Sequence, residues 1–450
     1  MNNKINQNTR DSKRAQWQRE NKSQDFSVDM NRRSFLQLVG TGLILPSALT
    51  GISRNVRAEI IEENRYSGTV WLTIHASGGW DPTLLCDPKG YETEDDPARI
   101  NNFAIDEILE IGNFLVPPID GISDFFTTFQ NDLLVINGID VTSNGHEQGT
   151  RAVWSGRTEA NRPCFTSLVA ATREVVPSLA FISNGGYDIT GGYVPVTRLP
   201  DTDVVNEIAF PNSQDIRYDD RLYFNPVMYD KIVDARKARM ARVQETAHLP
   251  RTLNAMQVLE AVRADDSELQ SLVDVLPTEL RSNDLERQIQ VAMACFSAGV
   301  SISANVSLGG FDTHGNHDNS HIPRMQQIIQ AVTYAREEAE RLGIADRLNI
   351  IVGSDFGRTP YYNDGNGKDH WSISSMMMMG ADIPGGRVIG GTDSDQLPLA
   401  VNPETLELDG SGVIITPGNI HAALRRLAGI EEHPFTVGAD VDEWLPFFEI

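Results

Sequence analysis

Five short apolar runs limit what this chain can fold into. "TVWLTIH" (69–75), "NDLLVING" (131–138), "SLAFIS" (178–183), "SISANVSLGG" (301–310) and "RLNIIVGS" (347–354) are nearly unbroken in their hydrophobicity. A strand with one wet face alternates apolar and polar residues. A run without that alternation suits a strand covered on both faces, as in a parallel sheet between layers of helices. "MMMM" at 376–379 reads the same way, as a buried strand. Helical patterns lie between the runs. In 320–342, Ile322, Met325, Ile329, Val332, Ala335 and Ala339 recur at three- and four-residue steps, with Ser320 as N-cap and Pro323 in the first turn. Strands alternating with helices predict an α/β fold with a mostly parallel central sheet and helices on both faces. At 450 residues and 40% hydrophobic content, the chain can bury a large core without covalent staples. Cys86, Cys164 and Cys295 fit no zinc spacing; their number leaves room for one bridge but reads better as three buried thiols. Residues 185–225 are rich in Gly, Pro and Asp, and 226–294 look helical with charged faces. Residues 185–290 therefore read as an insertion or cap over the sheet.

The polar residues fall in a telling place. In open α/β sheets, ligands bind beyond the carboxyl ends of the strands. Asp81 follows the first run by a short glycine loop, and His146 follows "LLVING" by another. Asp312 and His314 follow "SISANVSLGG", Asp355 follows "LNIIVGS" directly, and His370 comes fifteen residues later. Carboxylates mixed with imidazoles are ligands for zinc, manganese and similar divalent ions. Two such ions about 4 Å apart clamp the attacking and leaving oxygens of an in-line displacement. Arg358, in "SDFGRT", offers a bidentate grip on an anion such as phosphate or sulfate. Around these, His75 reads as a satisfied core residue, Asp369 as a turn residue or a partner for His370, and His321 as the opening of the next helix.

Charge is uneven along the chain. Residues 1–58 hold 10 Lys/Arg and 4 Asp/Glu, whereas the remainder carries 28 basic and 58 acidic residues, a net of −30. A body this acidic opposes binding to nucleic acid or anionic membranes. "NRRSFLQ" (31–37) precedes an apolar stretch that ends near "VRA" at Ala58. This resembles a twin-arginine export signal, with cleavage close to residue 58 and a polar extension before the arginines. The apolar stretch falls short of the roughly 20 residues that a membrane span needs. The expected location is the periplasm or the exterior.

"GGWD", "GHEQGTRAVWSG", "GGFDTH", "SDFGRT" and "DHW", behind such a leader, resemble a bacterial family called domain of unknown function 1501, grouped with the alkaline phosphatase and sulfatase-like superfamily. The resemblance covers about residues 30–450. It implies a large α/β sandwich with metals at the carboxyl edge of the sheet. Asp81 matches a first-strand metal aspartate, Asp312 with His314 an aspartate–histidine pair, and His370 the last metal histidine. His317 takes the place of His314 if the spacing is that of cofactor-independent phosphoglycerate mutases. Asp355 matches the aspartate of an Asp-His pair, but Phe356 stands where the histidine belongs. The helix start that should carry a Ser, Thr or modified Cys nucleophile offers His146, with Ser143 displaced.

The sequence therefore predicts an exported hydrolase of a phosphate or sulfate ester, with Asp81, Asp312, His314, His317, Asp355 and His370 as candidate ligands for one or two zinc or manganese ions. His146 and Arg358 are the candidate catalytic groups. The expected partner is a small anionic ester, not a nucleic acid, and a protein partner stays open. The missing nucleophile and missing histidine also fit a non-catalytic periplasmic binding or assembly protein that keeps the fold.

Overall fold

Each of the five apolar runs contains a strand. The computed structural model describes residues 65–449, apart from 95–98, 175, 200–208, 216–217, 219, 247–271, 274, 278 and 438–441. The expected export signal lies outside the described residues, and so does part of the expected cap. In chain order the strands are β1 (Val70–Ala76), a small hairpin of β2 (Leu109–Ile111) and β3 (Phe114–Val116), β4 (Leu134–Asp140), β5 (Phe181–Ser183) and β6 (Ser303–Leu308). They continue with β7 (Leu348–Ser354), β8 (Gly357–Arg358), β9 (His370–Trp371), β10 (Ile373–Gly380) and β11 (Arg387–Ile389). Among the described residues, seven of them form one sheet in the order β11-β4-β10-β7-β1-β6-β5. β10, the methionine strand, runs antiparallel to both its neighbours, and every other pairing is parallel.

Helices cover both faces, as expected. Among the described residues the helices are α1 (Ile122–Phe129), α2 (His146–Ser155), α3 (Phe165–Ala171), α4 (Pro226–Thr246), α5 (Asp284–Ser297), α6 (His317–Arg341) and α7 (Pro417–Leu427), of which α4 buries no residue and is not part of this cover. Side chains alternate across the sheet. Val70, Leu72, Ile74, Met377 and Met379 pack with α1, α5 and α6, whereas Trp71, Met376 and Met378 pack with α2, α3 and α7. With both faces buried, no polar alternation survives in these strands, which is why their sequences read as unbroken apolar runs. All three cysteines are buried and free.

The register builds one working edge. Ala76 pairs with both Leu308 and Ser354, so β1, β6 and β7 end level. β10 begins at that same edge, with Ile373 opposite Asp140 at the end of β4. Its reversed direction is what brings His370, three residues upstream of the strand's first paired residue, to the carboxyl ends of the parallel strands. α2 packs close below. Gly149 permits this, because a Cβ there would lie 2.3 Å from the Asp355 carbonyl oxygen.

α6 begins a turn earlier than its pattern predicts. Asn316, in the left-handed conformation (φ 49°), precedes the helix, and His317 and His321 are both fully buried one turn apart. They close a ring of hydrogen bonds with the loop after β1. The Asp81 N–H donates to His321 Nε2 (2.9 Å), so His321 carries its proton on Nδ1, 3.0 Å from Thr313 Oγ1. Thr313 in turn donates to His317 Nδ1 (2.7 Å), and His317 Nε2–H to Asp81 Oδ2 (3.1 Å). Burial holds both imidazoles below their ordinary pKa, as this neutral arrangement requires. Asp81 also accepts from Thr83 N and Oγ1, capping the short turn Pro82–Leu84, and from the buried Lys368 ammonium at 2.6 Å.

Two expectations are corrected here. Asp81 has no free lone pair and no exposure, so it caps a turn and pairs with Lys368 instead of binding a metal. His317 has both ring nitrogens engaged and is likewise removed from the ligand set. Burial alone would raise the Asp81 carboxyl, but Lys368 and His317 override it and hold the group far below the usual carboxylate range. Removing the ammonium with Lys368→Met leaves a buried, uncompensated carboxylate. It is expected to lower stability by about 3–5 kcal/mol, read as a fall in urea midpoint at pH 7. Because the folded-state pKa is depressed, this stabilisation is fully present above the unfolded-state value of roughly 3.9 and is lost as pH falls below it. Asp81→Asn is therefore expected to flatten the acid side of the stability–pH curve.

Candidate metal centre

At the level strand ends, Asp355 and His146 form a dyad. Asp355 follows β7 and is buried, and His146 opens α2 with its side chain 41% exposed. His146 Nδ1 lies 2.7 Å from Asp355 Oδ2, which also accepts from the Gly78 N–H (3.2 Å). An ionised carboxylate only accepts, so His146 Nδ1 carries a proton, and in the neutral ring Nε2 is left bare. That Nε2 sits 3.5 Å from Asp312 Oδ2. On the other side of Asp355, His75 Nε2 approaches Oδ1 at 3.0 Å, off the direction of a good hydrogen bond. His75 Nδ1 accepts from Trp154 Nε1 (2.8 Å). Burial alone would raise the Asp355 carboxyl, but His75, His146 and the Gly78 N–H together hold it below the ordinary value.

Beside the dyad three acceptors converge. His314 Nε2, His370 Nε2 and Asp312 Oδ1 lie 3.0, 3.0 and 3.1 Å from one another. The opposite nitrogens of both imidazoles are committed. His314 Nδ1 donates to Asp369 Oδ1 (2.6 Å) and His370 Nδ1 donates to the Asn144 carbonyl (2.8 Å). In neutral rings this fixes both protons on Nδ1. Three lone pairs then face one another with no proton between them, an arrangement that calls for a cation. A tetrahedral zinc site with bonds of about 2.0–2.1 Å has its donors roughly 3.3 Å apart, close to the spacing here. A carboxylate or carbonyl behind each histidine is also what orients metal-bound imidazoles. His146, Asp312 and His370 meet the same test as a group, with their donor atoms within 4.8 Å of one another. Burial works to raise the Asp312 carboxyl, but the hydrogen bond and charge of the Arg358 guanidinium bring it down to about 2, so it is ionised.

Arg358 does something other than grip an anion. Its side chain has no exposure. Nε donates to the Gly79 carbonyl (2.8 Å), Nη1 to the Lys368 carbonyl (3.0 Å), and Nη2 to the Gly78 carbonyl and to Asp312 Oδ1 (2.8 Å). With these donors committed to the protein it holds Asp312 and the glycine loop in place. Gly78 and Gly79 have φ of +121° and +86°, and a Cβ on either would collide with Asp312 or Phe356. Phe356, where a ligand histidine was expected, is fully buried under His146 and His370, with ring centroids 4.9 and 4.5 Å away. Asp369 proves to be the partner of His314, not of His370.

Asp312, His314, His370, His146 and Asp355 thus meet at one point, while Asp81 and His317 form a separate buried group. His75 and Lys368 were not foreseen as members. Each is one polar residue in an apolar strand or a glycine-rich loop, and neither carries a local signal of its partner. The cluster opens into a cleft of about 560 Å³, whose walls include Arg151, Asn161, Tyr187 and Asp188. No described helix is long and apolar enough to cross a membrane.

Comparison with known proteins gives a family but no assigned activity. No curated protein matches the chain. Among solved structures it is similar to the PsFucS1 sulfatase from Pseudoalteromonas sp., at 10% identity and a TM-score of 0.36, covering 86% of this chain and 75% of that one. It is also similar to the lipoteichoic acid synthase LtaP from Listeria monocytogenes, at 7% identity and a TM-score of 0.35, covering 85% and 79%. A third is a TAB5 alkaline phosphatase variant with Mg bound, at 11% identity and a TM-score of 0.31, covering 80% and 99%. The model of the family described as "Protein of unknown function (DUF1501)" matches residues 126–440, more than half of the sequence, and the chain belongs to that family.

Proposed function

We propose that the chain is an exported hydrolase of a phosphate or sulfate ester that depends on a divalent ion held by Asp312, His314 and His370. The observation that carries this reading is the convergence of three unprotonated donors, each oriented from behind, beside a cleft that Asp312 lines. When bound, zinc or manganese supplies Lewis-acid polarisation of an ester oxygen. The charge balance supports the same reading. The carboxylates of Asp312, Asp355 and Asp369 face one guanidinium, that of Arg358, so the cluster alone repels an anionic ester. A divalent ion cancels that excess. Export rests on the leader alone.

His146 is the candidate base. Asp355 keeps its proton on Nδ1, so Nε2 faces the cleft with a lone pair and can take the proton of an attacking water. As the imidazolium forms, the buried Asp355 carboxylate stabilises it, the role a carboxylate plays behind a catalytic histidine. The ring also stands at the first residue of α2, where helix N–H groups and the dipole favour a bound anion. Arg358 positions Asp312 and Phe356 supports the two rings. His146 occupies the place where a hydroxyl nucleophile was expected, which fits direct attack by water.

Protein purified without chelator is expected to carry near-stoichiometric zinc or manganese by elemental analysis, and Asp312→Ala to carry almost none. Metal-free protein would overturn the reading. Asp369→Ala, which frees His314, is expected to weaken metal affinity about 10–100-fold, measured by competition with a chelating dye. His146→Ala is expected to keep its metal but lose about 10²–10⁴ in turnover of aryl phosphate or aryl sulfate esters. Bound metal with no turnover on phosphate mono- and diesters or sulfate esters would make the chain a binding protein.

A further inference from the structure

Two ions need two separate sets of free donors, and among the described residues the donors of His146, Asp312, His314 and His370 lie in a single cluster that shares Asp312 and His370. Asp81, the carboxylate that a second ion would need, already has a cation. The Lys368 ammonium is fully buried and meets three oxygens: Asp81 Oδ2 at 2.6 Å, Asn101 Oδ1 at 3.0 Å and Thr83 Oγ1 at 3.4 Å. An ammonium has three N–H groups, so each finds one acceptor. A carboxylate, an amide and a hydroxyl oxygen are the hard donors a divalent cation takes. The face of the Tyr362 ring lies 5.1 Å away on a further side, a position that also favours a cation. The lysine is locked from its backbone as well. Its N–H donates to the Thr313 carbonyl (3.1 Å) and its carbonyl accepts from Arg358. It therefore sits between the loop that carries Asp312 and the one that carries His370. Asp355 lies beneath that cluster, with Oδ2 shared by His146 and Gly78 and the buried Oδ1 turned toward His75.

We infer that Lys368 is the resident cation of the buried Asp81 group, in the place of a second ion, and that the chain takes up one divalent ion at Asp312, His314 and His370. The inference rests on the metal reading above and deepens it. A cation attached to the chain neither dissociates nor yields to a chelator. It neutralises Asp81 permanently, so the loop after β1 keeps its shape whether or not the exchangeable ion is bound.

Titration of chelator-treated protein with zinc alone and with manganese alone, followed calorimetrically, tests this. One equivalent is expected for each metal. The manganese form is expected to give the electron paramagnetic resonance spectrum of an isolated ion, without the spin coupling of two ions about 4 Å apart. Asp81→Asn is expected to leave the stoichiometry at one and the dissociation constant within about two-fold, as for a site that shares no ligand with the ion. Asp312→Ala is expected to abolish binding. Two equivalents with a coupled spectrum would overturn the inference, and so would loss of the ion in Asp81→Asn but not in Asp312→Ala. Zero equivalents in the unmodified protein would remove the metal reading and this inference together. If Asp81→Asn does not fold, the stoichiometry and spectrum of the unmodified protein decide alone.

Discussion

The site depends on one buried guanidinium. Arg358 gives hydrogen bonds to the carbonyls of Gly78, Gly79 and Lys368 and to the Asp312 carboxylate. Those four acceptors belong to three loops, following β1, β6 and β8. Burial works to lower the Arg358 pKa, and the Asp312 carboxylate opposes it. The planar fork matters because its donors point in fixed directions, so one side chain sets the mutual positions of three loops. A lysine, with a single point charge, has no such reach. Arg358 also pairs with His370 across the β8–β9 ladder, which links the last histidine to the same frame.

The α/β class and the sheet edge were legible because both follow from burial and chain direction. Residues in strands covered on both faces are apolar throughout, and those just past a parallel strand's end share one edge wherever the strand lies in the sheet. That logic located Asp312, His314, Asp355, His146 and His370. It could not say which polar groups at that edge face the cleft and which face inward, because direction there is set by turns. Asp81 was misread for this reason. It lies at the correct edge, but the turn it caps points its carboxylate away from the cleft and into Lys368. Lys368 was not legible because a lysine in a glycine-rich loop is nearly always solvated.

The stretch "GGFDTHGNHDNSH" shows what a finer reading needs. From Phe311 to His314 burial alternates: Phe311 and Thr313 inside, Asp312 and His314 outside. At Asn316 the backbone turns left-handed, and from His317 the period becomes helical, so His317 and His321 face inward together. Asp312 and His314 share a face through the two-residue period, and His317 and His321 share the opposite one through the four-residue period. The histidines of one short segment therefore serve different ends. His314 meets the exposed cluster, and the other two hold a neutral buried ring.

Charge separates the two groups as sharply as geometry does. Asp81 and Lys368 cancel within the core, so that pair exerts little field on the cleft. The exposed cluster keeps an excess of carboxylate, on a body whose net charge past residue 58 is −30. Such a surface repels anionic polymers at long range, and salt screens that repulsion over roughly 8–10 Å. An anionic ester small enough to enter the cleft escapes most of it and meets only the local charge. That local charge is the quantity a divalent ion would cancel. Under the proposed function, the acidic surface and a bound ion would act in the same direction, favouring a small ester over a polyanion and the metal-loaded protein over the metal-free one.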